Sequence, residues 1–427
     1  MDTTKFSQSL TLKAFIIATL SLLSLIPNAM IMVLIHERET RSEETIRKIN
    51  EKWSLEQTIG GPILNIPYIN YSSDAQKKIV QMHELHLTPE DVKMQVRLFP
   101  EERHYGIYKT ILYKSEIKIT GKFAPVKELP ENPDFEKAFL SIGISDLRGV
   151  TNQLTIKAND KEYITEAGNG SMMNLKRLNA SLKGDINNLS ETPINFECLL
   201  SLNGSRSISF IPLGNTTTVE VEGDWKAPGF IGNFSPDYTL TETGFKASWK
   251  VLSFNRSIPE SWIDQNYNDY YDTSFGVNLV DTVDHYQQNM RSAKYSIMFV
   301  VLTFVVFFFV EVLSKKRIHP IQYLLVGIAL ILFYSLLLSL SEQIGFLIAY
   351  IISATATVVL IVSYSYSIFK SKQETVILTM ILTLLYSFLY IILQLEDIAL
   401  LIGSIGLFVI LGIIMYLSRK IKWYKQE

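Results

Sequence analysis

Two histidines in His83-Glu84-Leu85-His86 have the side chains to ligate a metal. A zinc hydrolase of the H-E-x-x-H type sets its imidazoles four apart on one helical face, so that both lone pairs meet a single ion. Here the spacing is three, and on a strand residues three apart point to opposite faces. The pair therefore reads as ordinary surface or edge histidines, and no metal ligand is assigned.

Nucleophilic catalysis needs an activated Ser or Cys with a base in reach. No G-x-S-x-G elbow occurs, and Cys198, the single cysteine, lies in the apolar run Phe196-Glu197-Cys198-Leu199-Leu200, where it reads as a buried structural thiol. No phosphate-cradling glycine motif is present. A hydrolase would need two carboxylates, or a serine with His104 or His285, brought together by the fold. The chain is expected to have no catalytic residues and no cofactor.

Other polar groups have spacings that suggest structure or binding. Asp146 and Arg148 in Ser145-Asp146-Leu147-Arg148-Gly149 share a face if the segment is extended, and Gly149 permits an unusual backbone turn. They are expected to pair and hold a loop, with ligand binding as the alternative. Trp225-Lys226-Ala227-Pro228-Gly229-Phe230 reads as an aromatic corner.

Ionisable groups within apolar runs are functional candidates because charge is costly there. Glu311 precedes Lys315 by four residues, a spacing that allows a pair along one helix, and Glu342 falls in a short turn. Neither lies near the middle of an apolar run, which counts against an ion-coupled transporter. Ser353 to Thr357 read as helix-packing positions.

The elements that position these groups fall into two kinds. Ala14 to Ile35 is a 22-residue apolar run preceded by Lys5 and Lys13, too long for a signal-peptide core and expected to be an uncleaved anchor. His36 to Trp53 is charged, with Ile46, Ile49 and Trp53 at helical spacing, and predicts a stalk that Gly60-Gly61-Pro62 should stop. From Ile63 to about Tyr286 the period becomes two, as in residues 109–119 and 216–222, punctuated by turns such as Asn203-Gly204. Short helices are expected near Phe135–Phe139 and Met172–Leu178.

Five more apolar runs follow near 295–313, 321–340, 345–369, 375–395 and 398–417, each close to the roughly 20 residues a helix needs to span hydrocarbon. Their short connectors predict one antiparallel bundle. Lys315, Lys316 and Arg317, then Lys370 and Lys372, then Arg419, Lys420, Lys422 and Lys425 fall on one side, with Lys5 and Lys13. By the positive-inside rule that side is cytoplasmic, so the β-rich insert is expected outside.

The expected fold is thus an α plus β membrane protein. It has six transmembrane helices, one N-terminal anchor and a five-helix C-terminal bundle, with a large, mainly antiparallel, β-sandwich-like extracytoplasmic domain. Its boundaries are a cytoplasmic N-terminus at 1–13, an anchor at 14–35, a periplasmic stalk and β-rich domain at 36–294, a bundle at 295–417 and a basic cytoplasmic tail at 418–427. Outside 36–294 there are eleven Lys and Arg against seven Asp and Glu, a balance of +4; with −2 for the whole chain, the insert carries −6. An acidic insert argues against nucleic acid or anionic lipid headgroups as its partner. The expected partners are the lipid bilayer and a periplasmic envelope component or protein.

Residues along nearly the whole chain carry a family resemblance. They begin with Glu37-Arg38, Trp53, Gln57, Gly61-Pro62 and Pro67-Tyr68, and continue as Ser145-Asp146-Leu147-Arg148-Gly149, Leu202-Asn203-Gly204-Ser205, Trp225 and Gly244-Phe245-Lys246-Ala247-Ser248-Trp249. The densest block joins Arg291-Ser292-Ala293-Lys294-Tyr295 to Arg317-Ile318-His319-Pro320-Ile321-Gln322-Tyr323 and to residues 333–342, ending at Glu342. Within it, Pro320 suits the first turn of a helix, and His319 is expected to cap that helix, with a cytoplasmic contact site or a pH-responsive group as the alternative.

This pattern resembles the CreD family of bacterial inner-membrane proteins. The resemblance implies one anchor, a large periplasmic domain and a C-terminal helical block, together with a role in envelope integrity and tolerance to colicins. Three functions are weighed: a non-enzymatic envelope protein, a transporter or lipid-handling accessory using the bundle, and a periplasmic hydrolase. The first agrees best with the residues.

Overall fold

A computed structural model describes residues 10–74, 77–126, 129–186, 189–264, 273–279, 285–313, 318–395 and 398–419. The chain divides into a helical unit, residues 1–43 with 283–427, and a β-rich unit, residues 44–282.

The helices are α1 (Leu10–Leu23), α2 (Leu25–Asn50), α3 (His285–Leu313), α4 (Pro320–Ile344), α5 (Phe346–Phe369), α6 (Lys372–Gln394) and α7 (Ala399–Ser418). Pro27 has no amide hydrogen and its ring crowds the carbonyl four residues back, at Leu23, which accounts for the break between α1 and α2. Anchor and stalk nevertheless form one nearly continuous rod, Leu12–Asn50. That rod and α4, α5 and α6 are each long and apolar enough to cross a bilayer.

Among the described residues these are four of the six expected spans. α3 bends by 44° between Lys294 and Ser296 and counts as a fifth span if its two parts are taken together. The apolar part of α7, Leu401–Tyr416, is shorter. At 1.5 Å per residue it measures about 24 Å, less than the roughly 30 Å of hydrocarbon. The helical core includes Phe304, Phe307, Phe333, Leu337, Tyr350, Leu382 and Leu389, all buried.

The β-rich unit has strands β1 (Gln57–Asp74), β2 (Lys77–Leu87), β3 (Asp91–Tyr105), β4 (Tyr108–Phe123), β5 (Phe139–Ile144), β6 (Thr155–Ala158), β7 (Lys161–Met172) and β8 (Leu175–Ser181). They continue as β9 (Ile194–Ser205), β10 (Ser207–Ile211), β11 (Thr216–Gly223), β12 (Pro228–Gly232), β13 (Asp237–Leu240), β14 (Phe245–Leu252), β15 (Ser261–Ile263) and β16 (Phe275–Leu279). The alternation read in the sequence is visible in β3, where Val92, Met94, Val96 and Leu98 face the core and Lys93, Gln95 and Arg97 face out.

Among the described residues all sixteen strands belong to one hydrogen-bonded sheet, whose main path runs β12-β16-β10-β1-β5-β8-β7-β6-β9-β4-β3-β11-β14-β13, with β2 branching from β1 and β15 pairing with β2. The sheet is mixed, because β1 pairs with β10 and β3 with β11 in parallel. Its halves are joined through β7, which pairs with β6 early and β8 later and shifts register between Ala167 and Ser171. The path curls until its ends meet: Phe230 of β12 lies 4.8 Å from Tyr238 of β13, ring centre to ring centre. Trp249 and Phe275, from strands near opposite ends of the path, lie 5.4 Å apart in the same core.

Three local expectations are corrected. The stalk helix ends at Asn50 in a turn through Trp53, and Gly61-Pro62 lies inside β1. There a bulge between Gly60 and Ile63 marks where β1 exchanges its parallel partner β10 for antiparallel β2. Gly61 has φ +115°, and a Cβ on it would lie 2.9 Å from the Ser141 carbonyl oxygen. Met172–Leu178 is a hairpin: Met172 pairs with Leu175 across a two-residue turn whose Met173 and Asn174 both have positive φ, the geometry that matches strand twist. Near Phe135–Phe139 only one 3-10 turn, Phe135–Lys137, precedes β5.

Candidate functional sites

In the β-rich unit Asp146 is 4% exposed and caps a 3-10 turn, Leu147–Gly149. Arg148 donates to its carboxylate from Nε at 2.9 and 3.1 Å and from Nη2 at 2.8 Å. The Leu55 amide donates at 3.1 Å and Ser54 Oγ at 3.3 Å. Burial alone would raise the Asp146 pKa, but the hydrogen bonds from Arg148 and the Leu55 amide outweigh it and hold the carboxyl at about 2. The other end of Arg148 donates from Nη1 to the Glu51 carbonyl at 2.6 Å.

Gln57 completes this knot. Its Nε2 donates to Ser54 Oγ at 2.7 Å and to the carbonyls of Asp146 and Asn203, both at 3.0 Å. Its Oε1 accepts from Ser145 Oγ at 3.0 Å and the Asp146 amide at 3.3 Å. Gly149 lies so close that a Cβ would be 2.2 Å from the Asn203 carbonyl oxygen. The Asp146–Arg148 pair thus holds a loop, as expected, on a 3-10 turn and not along a strand, and it ties the chain leaving α2 to the sheet.

The histidines occupy a second cluster. His83 stacks on Tyr68 at 5.3 Å and contacts Asp264 through Nδ1. His86 faces Asn65, with Nδ1 2.7 Å from Oδ1, and stacks on Trp262 at 5.2 Å. Burial is the main cause that lowers the His86 pKa, so it is neutral near pH 7. Tyr68, expected as an interaction residue, is mostly buried, and the Pro67 carbonyl accepts from the Asp134 amide at 2.7 Å. Cys198 is buried in the sheet core, which pushes its thiol up to about 12. Trp225 packs against the core, while Phe230 makes the ring contacts of the aromatic corner with Tyr238, Phe245 and Trp249.

Across β3, β4, β9, β11, β13 and β14 the outward side chains line an open concave face of about 880 Å³. Exposed Leu199 and Tyr238 contribute to its lining. Glu222 pairs there with Arg97 at 3.7 Å and Lys246 at 3.2 Å.

In the helical unit the carboxylates have partners that local spacing did not reveal. Glu311 is 3% exposed and bound to Lys13, with the Ile318 amide donating at 3.0 Å and Tyr323 Oη at 2.9 Å. The expected partner Lys315 lies outside the described residues, as does Arg317. Glu342 lies within α4, not in a turn, accepts from Tyr286 Oη at 3.1 Å and is 4.0 Å from Arg38. His319 caps α4, its Nδ1 accepting from the Ile321 amide at 3.3 Å, while Gln322 Oε1 accepts from the His319 amide at 2.9 Å. Pro320 is the first residue of that helix.

The expected residues therefore gather in separate places. Asp146, Arg148 and Gly149 meet in the knot; Tyr68 meets His83; Tyr323 meets Glu311; Gly61 and Pro62 are structural positions within β1, and Trp225 packs on the core from the loop between β11 and β12. Sequence reading missed Lys13, Ser54, and the buried pair Asn289–Ser341, joined at 2.7 Å. Opposite charges placed toward the same side of two apolar runs were the one available signal for Lys13 and Glu311.

These features define a membrane protein with an N-terminal apolar helix, several apolar C-terminal helices and a large mixed β-sheet domain. Residues 9–424 match the family described as "Inner membrane protein CreD". The inner membrane protein CreD of Escherichia coli (strain K12) is 30% identical over 414 residues, covering 94% of this chain and 91% of that protein. The chain belongs to the CreD family of inner membrane proteins. Among solved structures, an M1 zinc metallopeptidase from Deinococcus radiodurans aligns over 45% of this chain and 42% of its own, with 8% identity. Its TM-score of 0.21 carries no inference about fold or activity.

Proposed function

We propose that the protein supports cell-envelope integrity, including tolerance to envelope stress and colicins, by a non-enzymatic action of its β-rich domain on the periplasmic side. Both termini are cytoplasmic in this reading, α3 and α7 complete six spans, and the curled sheet acts as a sandwich-like body. The observation that carries it is the open face lined by Leu199 and Tyr238, a shape suited to binding or bracing an envelope component or protein. The polar groups nearest to a catalytic set, at Asp146 and His86, are engaged in holding backbone and neighbouring strands.

Complementation tests the reading. A strain lacking the gene should lose resistance to detergent and change its colicin response, the intact chain should restore both, and Leu199→Glu with Tyr238→Ala should not. Wild-type envelope behaviour in the deletion strain would remove it. Cysteine labelling in whole cells tests the topology: a cysteine at Thr239 should react with an impermeant maleimide and one at Lys370 should not. The lipid-handling alternative has an observation of its own, an apolar groove in the helical unit.

A further inference from the structure

Between α1, the first residue of α2, α3 and the end of α7 runs a groove of about 690 Å³. One wall is Ala14, Ile17, Ala18 and Leu22, spaced as one helical face, and another is Val301, Val305 and Phe309 with their neighbours. Among the described residues, Ser21 and Ser418 are its only polar lining residues. Lys13 meets Glu311 at one end and Asn28 meets Ser296 at the other, so the two walls run antiparallel. The walls from Ala14 to Leu25 and from Ile297 to Phe309 are each roughly 17 Å long, close to one leaflet's half of the hydrocarbon.

We propose that this groove binds a phospholipid, with one acyl chain along α1 and α3 and the phosphate at Arg419. The hairpins α4–α5 and α6–α7 alternate direction from the Glu311 end, which returns Ser418 to that same end. Arg419 follows Ser418 directly and is exposed. Lys13 is neutralised by Glu311, and Arg419 is the basic residue that directly follows the last lining residue of the groove. A chain in the groove replaces shifting bilayer contacts with fixed apolar walls, and the arginine pairs with a phosphate. Every lining residue belongs to the helical unit, so the site stands apart from the envelope reading.

The test is native mass spectrometry of the full chain purified in mild detergent, followed by titration with phosphatidylglycerol. The wild type is expected to keep one phospholipid through delipidation. Ala18→Phe fills the groove from an exposed position and should lower retention by roughly tenfold or more, since several methylenes lose their seat. Arg419→Gln should weaken it about fivefold, the weight of one basic residue at a membrane surface. Ile328→Phe, on an exposed face of α4 outside the groove, should change nothing. Equal retention by wild type and Ala18→Phe overturns the proposal, as does a groove occupied by a second copy of the chain or by detergent alone. A lipid-free wild type that still restores envelope resistance would remove this site and leave the envelope reading standing.

Discussion

Two ion pairs organise this protein, and they differ in how they are made. Asp146 and Arg148 are two residues apart, and the guanidinium is half exposed, so water still reaches the cation. Lys13 and Glu311 are 298 residues apart, with the carboxylate almost wholly enclosed among apolar helices. The first pair holds a loop, where the amides of Leu55 and Arg148 join the guanidinium in stabilising the carboxylate. The second joins two helices in surroundings where neither charge is tolerated alone.

The largest effect should come from breaking the buried pair. Glu311→Leu leaves Lys13 without its counter-ion and is expected to destabilise the helical unit by roughly 3 kcal/mol, less than a fully enclosed pair because a lysine can extend toward water. Thermal unfolding in detergent measures it, and Lys13→Met combined with Glu311→Leu should regain most of the loss in a double-mutant cycle. A double variant as unstable as the single one would mean that packing, not charge, holds α1 to α3.

The knot answers next. Gly149→Ala drives a methyl into the Asn203 carbonyl and should cost about 2–3 kcal/mol, read as a lowered denaturation midpoint of the β-rich unit. An unchanged midpoint would show that the loop moves freely from the sheet.

Acid is a gentler probe of the same place. The Asp146 carboxyl titrates at about 2 when folded and 3.8 otherwise, so its contribution is present above pH 3.8 and is lost as pH falls toward 2. The loss is on the order of 2 kcal/mol, and Asp146→Asn should flatten that part of the stability curve. The smallest effect is expected at the surface: Lys118 and Glu197 pair at 3.0 Å with both side chains largely exposed. Lys118→Met should shift stability by less than about 0.5 kcal/mol, and added salt should erase the difference.

Much of the fold is legible in the sequence alone. The period-two runs at 109–119 and 216–222 are strands β4 and β11, Pro320 starts a helix, and the apolar runs became helices. Local geometry enforces these, because a side chain's direction repeats with the backbone. The hairpin at Met173-Asn174 was missed because its turn lacks the usual glycine, though asparagine tolerates positive φ. Of the candidate sites, the Asp146–Arg148 contact was readable because its partners are neighbours, and the His319 cap because Pro320 marks the helix start.

Gln57 belonged to the family pattern, yet its role in binding Asp146 and Asn203 could not be read, since its partners lie 89 and 146 residues away. The same holds for the meeting of Phe230 with Tyr238, which depends on how far a sheet curls along its whole path. By itself the sequence determined the lengths of the apolar runs, the alternation of the strands, the charge asymmetry and the family, all properties that a short window or a linear pattern carries. Only the tertiary structure decided that one sheet takes in every described strand, that Glu311 binds Lys13 and that an apolar groove opens between α1 and α3. Each of these depends on which distant segments become neighbours, and that choice is made by burial of the whole chain and not by any one stretch of it.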